Sequence, residues 1–332
     1  MPAPKPSLQL HYRPRLADLK PVLATPAGLL QNATGGSGAR VTPAEALQGR
    51  DGYAPAFLGD FVVPWPSASE AVSADLYPID GQDTQLRYTH FSIAMSRARR
   101  MARWVGVNID GKAHVEVPRS RDSWAYDGRL PMDAQIGDAL YAGNGLDRGH
   151  LVRRQDPNWG PQASTANADT FHFTNCSPQM SAFNQKTWLE LEDYILDNTQ
   201  RWEARATVFT GPVFNDNDRL YRGVKIPQAY WKVVAYLGED GKPSASAYMI
   251  DQSRELGQLD LTFGALRTYR RSVLAIEALT GLHFGSPSGL PSDSPSGLPS
   301  GSLSQYDGFS NEELATGTRI EALVTGPESL YL

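Results

Sequence analysis

Four segments rich in aromatic and β-branched residues constrain the fold more than any other feature of the sequence. They cover residues 104–110, 206–211, 229–237 and 244–251. Residues of these types favour extended strands, and several such strands in one chain indicate an antiparallel or mixed sheet. Apolar residues recur at helical spacing over 184–199 and 266–279, which predicts two helices. Together these elements predict an α+β fold.

The composition sets the size and the class of the protein. The chain has 332 residues, of which 41% are hydrophobic, and this is enough to fill the core of one large domain. Its 30 glycines and 24 prolines favour a loop-rich α+β architecture over a helical bundle. One cysteine, Cys176, excludes an intrachain disulfide and argues against structural zinc, which takes several thiolates. We expect an inert buried thiol there.

The charge of the chain limits how it could bind nucleic acid. A formal net charge of −5 argues against coating of nucleic acid by bulk electrostatics, because that mode needs a strongly basic domain. Any basic surface must therefore be local. The candidates are two arginine clusters, Arg97 with Arg99, Arg100 and Arg103, and Arg148 with Arg153 and Arg154. A solvated helix face is the alternative for such runs.

The two ends of the sequence differ in composition from the middle. Residues 1–60 are rich in Pro, Ala and Gly, which predicts an N-terminal extension with little core of its own, partly ordered against the main domain. The repeated SPSGLPS sequence predicts a flexible linker over 286–308, followed by a C-terminal tail over 309–332. The start, MPAPKPSLQL, lacks the features of a secretory signal. We therefore expect a cytoplasmic protein unless a dedicated machine delivers it to another cell.

Residues that carry chemistry are concentrated in one stretch of the middle segment. Asp147, Arg148 and His150 lie in GLDRGHL, around a glycine expected to let the backbone turn tightly. The pieces TNCSPQ, FNQKTW and LELED follow within the next 50 residues or so. A single four-residue motif is a weak indication. The order and spacing of all four pieces argue against chance.

These pieces resemble the DNA/RNA non-specific endonuclease family, the ββα-metal nucleases that include mitochondrial endonuclease G and secreted bacterial sugar-nonspecific nucleases. The resemblance covers about residues 61–285, which we interpret as the endonuclease domain. Matching positions are the DRGH motif at 147–150, Asn175, Pro178, Gln179, Asn184, Trp188, Glu192, the TGP motif at 210–212, Ile226–Pro227 and Tyr230–Lys232. The resemblance implies a ββα-metal (His-Me finger) fold, with a central and mostly antiparallel sheet flanked by helices.

The resemblance also implies a role for individual residues. The general base of the family falls on His150, its metal ligand on Asn184, and its outer carboxylate on Glu192. On a helix, Asn184 and Glu192 are separated by roughly 12 Å along the axis, so Glu192 is expected to hold a metal-bound water. We expect Mg²⁺, with Mn²⁺ as a substitute, because an amide oxygen, waters and a substrate phosphate give the oxygen ligands that Mg²⁺ prefers.

Arginine suits the negative charge of the transition state, because it offers several donors and keeps its charge. Arg148 lies inside the motif, and the family places a second arginine shortly before an aromatic residue and an aspartate. Arg121 is the first choice for this second arginine and Arg119 is the alternative. We expect Arg119, Arg153 and Arg154 to bind substrate. The predicted supporting residues are Asp147, Asn175 and Gln179.

Most of these residues have a simpler interpretation as well. Asn184 has the alternative of capping the helix that follows it, and Glu192 that of an ordinary surface carboxylate. Helical spacing nevertheless places Glu192 on the apolar side of its helix, with Leu191 and Ile195. The further alternatives are a structural hydrogen-bonding histidine at His150, a turn-holding aspartate at Asp147, and loop-stabilising amides at Asn175 and Gln179.

The predicted function is that of a metal-dependent endonuclease that hydrolyses DNA and RNA with little sequence specificity. His150 would activate water, and Mg²⁺ would stabilise the leaving 3′ oxygen. Two alternatives stay open, namely a phosphodiesterase with a restricted substrate and a catalytically inactive module that binds nucleic acid or a partner. A cytosolic nuclease meets the nucleic acid of its own cell, so we also expect an inhibitor, activator or delivery partner, docked on residues 1–60.

Overall fold

The computed structural model describes residues 39–119, 122–180, 187–238, 240–252, 267–285 and 302–324. The strands in this part of the chain are β1 (Val41–Thr42), β2 (Ser67–Ala68), β3 (Gln85–Tyr88), β4 (Phe91–Met95), β5 (Ala102–Asp110), β6 (Tyr126–Asp127), β7 (Leu146–His150), β8 (Cys176–Met180), β9 (Arg205–Val213), β10 (Arg219–Tyr221), β11 (Val224–Ile226), β12 (Ala229–Leu237), β13 (Pro243–Asp251), β14 (Arg267–Arg271), β15 (Leu282–His283) and β16 (Glu321–Leu323). The α-helices are α1 (Glu70–Asp75), α2 (Asp138–Tyr141), α3 (Ala163–Asp169), α4 (Thr187–Arg201), α5 (Val273–Thr280) and α6 (Gly308–Thr316). The fold is therefore α+β.

An eight-stranded antiparallel sheet forms the centre of the fold. Its strand order is β16-β14-β13-β12-β9-β5-β4-β3. The four strands predicted from the sequence are confirmed as β5, β9, β12 and β13, which are neighbours in the middle of this sheet. Most of their residues are buried, which explains why they are rich in apolar side chains. No helix among the described residues is long and apolar enough to cross a membrane.

Each face of the sheet carries its own hydrophobic core. Tyr230 of β12 belongs to the cluster that contains Leu191 and Ile195 of α4, whereas the next residue, Trp231, belongs to the cluster that contains Phe284. This division arises because successive side chains of a strand point to opposite faces. Residues of β7 and β8 also belong to the first cluster. Strands β7 and β8 and helix α4 therefore lie on the same face of the sheet.

The predicted helix over 266–279 is wrong at its beginning. Residues 267–271 form strand β14, which pairs with β13 and β16. The helix begins only at Val273, where the hydroxyl of Ser272 accepts a hydrogen bond of 2.9 Å from the amide of Ala275 and caps it. Pairing with two neighbouring strands overrides the helical spacing of the apolar residues in this segment.

Much of the predicted N-terminal extension belongs to the packed body of the domain. Leu47 and Tyr53 are buried in the two cores. The hydroxyl of Tyr53 donates to the carbonyl of Val63 at 2.6 Å, and the amide of Gly52 donates to the carbonyl of Tyr88 at 2.9 Å. Strand β1 pairs with β6. Residues 41–53 therefore pack against the rest of the domain, and residues 1–38 lie outside the described part of the chain.

The segment after residue 301 is also packed, although the sequence predicts a linker up to residue 308. Leu303 is buried in the second core. The carboxylate of Asp307 caps α6 and accepts a hydrogen bond of 2.9 Å from the amide of Val273. Strand β16 of the predicted tail joins the central sheet. These contacts place 302–324 in the domain, whereas residues 286–301 of the predicted linker lie outside the described residues.

The arginines of the first cluster, Arg97 to Arg103, form hydrogen bonds and an ion pair with other parts of the domain. Arg99 pairs with Asp218 at 2.7 Å, and Arg103 donates to the carbonyl of Thr280 at 3.1 Å. Arg97 and Arg100 also donate to main-chain carbonyls. These residues lie in the turn between β4 and β5 and in β5 itself. Their interpretation as a solvated helix face is therefore wrong.

Candidate active site

Strands β7 and β8 and helix α4 form a ββα unit on the first face of the sheet. Strand β7 carries the residues from Asp147 to His150 and pairs antiparallel with β8, with His150 opposite Cys176 and Asp147 opposite Gln179. Helix α4 is the next described element along the chain. The order of these three elements is the ββα order that the resemblance implied.

Gly149 is required by a close contact and not by a turn. A Cβ atom at this position would lie 1.9 Å from Oε1 of Gln179. Gln179 is fully buried, and neither polar atom of its side chain has a hydrogen-bond partner among the described residues. Both Gly149 and Asp147 lie within a strand, so the expectation of a tight turn at these residues is wrong. The missing side chain of Gly149 makes room for Gln179.

The ring of His150 is held between two aromatic side chains. Its centroid lies 4.8 Å from that of Trp124 and 5.1 Å from that of Phe171, and the Phe171 ring stands at 87° to it. The Nε2 atom of His150 is buried and has no hydrogen-bond partner in the described part of the chain. The imidazole is thus fixed by packing while one of its nitrogens stays available for chemistry.

Burial also determines the charge of this histidine. It lowers the pKa of His150 to about 4, an effect that Asp122 opposes and that Arg154 and Arg119 increase. The imidazole is therefore neutral at the pH at which most enzymes work. A neutral imidazole is the form that can accept a proton from water.

A pocket of about 570 Å³ adjoins His150. Its lining contains four arginines and three acidic residues, so positive charge is in excess in this part of a protein whose net charge is −5. The predicted residues that line it are Arg119, Asp147, Arg148, His150, Arg153, Arg154 and Glu192. The structure thus brings these seven residues together around a cavity that suits an anion.

Two of the arginines are oriented by acidic neighbours and still have unused donors. Arg148 pairs with Asp138 and lies over the ring of Tyr141, with 5.1 Å from Cζ to the ring centroid. Arg153 pairs with Asp193 of α4. The Nε atom of Arg148 and the Nη1 atom of Arg153 are buried without a hydrogen-bond partner among the described residues. These donors suit a phosphate oxygen.

The other two arginines of the pocket are more loosely held. The side chain of Arg119 is 72% exposed and lies 3.1 Å from Asp122. Arg154 donates to the carbonyl of Val117 at 3.1 Å. An exposed arginine can reorient toward a bound phosphate at little cost, because its ion pair in water contributes little.

Glu192 faces the interior. It is 8% exposed, and its neighbours Leu191 and Ile195 on α4 are 2% and 3% exposed. Oε1 of Glu192 lies 3.1 Å from Nζ of Lys232, which is ion-pair distance, although the pair lacks the geometry of a hydrogen bond. The inward direction predicted from helical spacing is confirmed, and the alternative of a surface carboxylate is wrong.

Two charged residues beside the site were given no role from the sequence. Lys232 is the partner of Glu192, and its side chain is 1% exposed. Asp156 is also buried, and burial raises its pKa to about 7, against the positive charge of Arg153 and with the negative charge of Glu192. The available signals for Lys232 were its place inside the otherwise apolar segment AYWKVVAYL and its match to the family.

Asn175 stabilises the loop that follows His150, which is the simpler of its two interpretations. Its Nδ2 atom donates to the carbonyls of Val152 and Thr170 at 2.9 and 3.0 Å, and its Oδ1 atom accepts from the amide of Val152 at 2.9 Å. It is not among the residues that line the pocket. The next residue, Cys176, is buried, and burial raises the pKa of its thiol to about 12, so it is inert.

Asn184 and Arg121 lie outside the described residues, and their roles stay predictions. Within the described ranges, no group of three or more His, Cys, Asp or Glu side chains could hold a metal ion. The buried Oε1 of Glu192 has no hydrogen bond there, and Glu192 lines the pocket. A carboxylate oxygen in this position fits a hard divalent cation that is held partly through water.

Comparison with known proteins decides the family. The sequence model of the DNA/RNA non-specific endonuclease family matches residues 68–290. The chain belongs to this family. It is 41% identical over 225 residues to the uncharacterized protein y4fB of Sinorhizobium fredii, a match that covers 63% of this chain and 34% of that protein. The chain therefore spans about a third of the length of this relative.

Two further relatives are nucleases. The chain is 27% identical over 203 residues to a nuclease of a Nostoc species, with 58% of this chain and 70% of that protein covered. It is 28% identical over 237 residues to the mitochondrial nuclease EXOG of Mus musculus, with 67% and 62% covered. Among solved structures, a chain of the EndoG/EndoGI complex matches with a TM-score of 0.49 and 19% identity, over 67% of this chain and 92% of that one.

Proposed function

We propose that this protein is a Mg²⁺-dependent endonuclease that hydrolyses phosphodiester bonds of DNA and RNA with little regard to sequence. The observation that carries the proposal is His150, a neutral imidazole whose Nε2 has no partner among the described residues, beside a pocket with an excess of arginine. A neutral base next to cations that bind phosphate is a combination suited to the hydrolysis of a phosphodiester by water.

The arginines bind the scissile phosphate, and His150 activates the nucleophile. Nε2 of His150 accepts a proton from a water molecule, whose oxygen bonds to phosphorus while the bond from phosphorus to the 3′ oxygen breaks. The leaving oxygen takes up a proton from solvent. Guanidinium donors of Arg148 and Arg153 stabilise the extra negative charge of the five-coordinate transition state.

Asn184 would hold the metal ion directly, and Glu192 would hold it through water. Mg²⁺ supplies a positive charge that neutralises the phosphodiester and stabilises the leaving 3′ oxygen, and Mn²⁺ is expected to replace it. Glu192 lines the pocket, and its buried Oε1 accepts no hydrogen bond from the described residues, which suits this role.

Low sequence specificity follows from the kind of group that lines the pocket. The arginines offer donors to phosphate oxygens, which are the same at every position of a nucleic acid and carry no sequence information. Trp124 and Phe171, the aromatic residues of the lining, can contact a sugar or stack on any base. A site of this composition accepts both DNA and RNA.

The test is cleavage of a supercoiled plasmid and of a structured RNA by wild type, His150→Ala and His283→Gln. His283 is the matched control, since it pairs with Glu277 at 3.0 Å and is not among the residues that line the pocket. We expect His150→Ala to lower turnover by ~10² to 10⁴ and to keep nucleic-acid binding. The control should cleave like wild type.

The same assay separates the alternatives. Cleavage of only one nucleic acid by wild type would indicate a phosphodiesterase with a restricted substrate. Binding without cleavage in the presence of Mg²⁺ would indicate an inactive module. Equal turnover by His150→Ala and wild type would refute the general-base role.

A further inference from the structure

Lys232 is a buried cation at the centre of the eight-stranded sheet. Its side chain is 1% exposed. The sheet register places it between Thr210 of β9 and Tyr248 of β13. Lysine is almost never fully buried without a partner, because taking an unpaired charge out of water is strongly unfavourable. A lysine in this position therefore points to a specific use of its charge.

Contacts from two different elements compensate this charge. Nζ of Lys232 donates to Oγ1 of Thr210 at 3.0 Å, and it lies 3.1 Å from Oε1 of Glu192. Thr210 is its cross-strand neighbour, whereas Glu192 comes from helix α4, which packs on this face of the sheet. The ion pair thus joins the helix that lines the pocket to the rigid centre of the fold.

Glu192 is held in place by this lysine. Glu192 is buried, lines the pocket and has no hydrogen bond to Oε1 from the described residues. Breaking a buried ion pair leaves an uncompensated charge, which is strongly unfavourable. The ion pair of 3.1 Å with Nζ of Lys232 therefore fixes the direction of this oxygen.

We propose that Lys232 is a positioning residue, which holds Glu192 directed at the wall of the pocket so that its carboxylate binds the divalent cation through water. This inference rests on the proposed function, from which the role of Glu192 is taken. Lys232 itself is not among the residues that line the pocket. Its contact with the residues of the pocket is the ion pair with Glu192.

The test compares Lys232→Met with a matched control, Thr210→Val. The first variant removes the charge and keeps an unbranched side chain of similar length, whereas the second removes the hydrogen bond to Lys232 and keeps a β-branched shape. Mn²⁺ binding is titrated by calorimetry without nucleic acid, and the plasmid cleavage rate is measured against Mg²⁺ concentration. Loss of a residue that orients a metal ligand weakens metal binding about 10- to 100-fold, which is our expectation for Lys232→Met.

The same variant should need a correspondingly higher Mg²⁺ concentration for half-maximal cleavage, with the apparent KM for the plasmid unchanged. Thr210→Val should stay close to wild type in both measurements. If Lys232→Met does not fold, Lys232→Gln is compared in its place, since it keeps a hydrogen-bonding side chain and lacks the charge. Wild-type Mn²⁺ affinity in either folded variant would overturn the inference and leave Lys232 a structural residue.

Stability in EDTA gives a second readout that does not depend on activity. The double variant Lys232→Met/Glu192→Gln should be more stable to denaturant than the sum of the single changes predicts, because neither charge is left unpaired. If the effects of the two single changes on the free energy of unfolding are additive, Lys232 and Glu192 do not interact, and the inference is wrong. A wild type that cleaves no nucleic acid but binds Mn²⁺, with weaker binding in Lys232→Met, would refute the proposed function and leave the inference about Lys232 standing.

Discussion

The acid limb of the pH–rate profile should lie well below that of an enzyme with an ordinary histidine base. Burial lowers the pKa of His150 to about 4, whereas an exposed histidine has a pKa of about 6.5. At pH 5 a base with a pKa near 4 is about 90% neutral, and one with a pKa of 6.5 is about 3% neutral. We expect kcat/KM at pH 5 to stay close to its value at pH 7, where an ordinary histidine predicts a decrease of about 25-fold.

The direction of the effect follows from the state that reacts. Only the neutral imidazole accepts a proton, so kcat/KM falls as the pH falls through about 4. The same shift affects stability, because the unfolded chain binds a proton on His150 in a pH range where the folded chain does not. The contribution to the free energy of unfolding is complete above pH 6.5 and is lost between pH 6.5 and 4, up to about 3 kcal/mol.

The cause of the shift can be tested with Trp124→Ala, which exposes one side of the His150 ring to water. The acid limb should then move toward pH 6.5, whereas Trp202→Ala should not move it, since Trp202 is 61% exposed and is not among the residues that line the pocket. The assay is kcat/KM for a fluorescent duplex oligonucleotide, with Mg²⁺ titrated to saturation at each pH. A wild-type midpoint near pH 6.5 would refute the reasoning.

Three further outcomes are expected. Excess EDTA should abolish cleavage and added Mg²⁺ or Mn²⁺ should restore it, so full cleavage in chelator would remove the metal from the mechanism. Asn184→Ala should need more Mg²⁺ for half-maximal rate, and a titration curve identical to that of wild type would remove Asn184 from the site. Deletion of residues 1–60 should lower the Tm, because it removes the buried Leu47 and Tyr53, each worth roughly 1.5–3 kcal/mol; an unchanged Tm would contradict the packing of this segment.

The central strands could be predicted from the sequence because a buried strand shows its burial in its own residue types. Strands β5, β9, β12 and β13 occupy the middle of the sheet, so each must be built from apolar and β-branched residues. Strand β14 lies nearer the edge, and its sequence RTYRR lacks this run of apolar and β-branched residues. Its state is decided by pairing with β13 and β16, and no local pattern contains that information.

The site shows the same division between local and long-range information. The inward direction of Glu192 could be predicted, since helical spacing places it with Leu191 and Ile195. The reason for Gly149 could not, because its contact with Gln179 joins two strands that are distant in sequence and depends on their register. A motif therefore identifies the residues of a site more readily than the contacts that make each one necessary.

Lys232 lies at a position that matches the family, but the sequence does not show what its side chain contacts. Alternation along β12 places it on the face of Tyr230, its register with β9 brings it to Thr210, and the packing of α4 brings it to Glu192. These three conditions come from different parts of the chain, so the segment around Lys232 shows a strand with a lysine that matches the family, and not the role of that lysine. Substitution of Lys232, which lies in the sheet and outside the DRGH motif, should therefore weaken the hold on the carboxylate of Glu192. A relative with the DRGH motif, the asparagine and the glutamate intact, but with an apolar residue in place of Lys232, should bind Mn²⁺ more weakly than this protein; equal affinity would show that the carboxylate does not need the lysine.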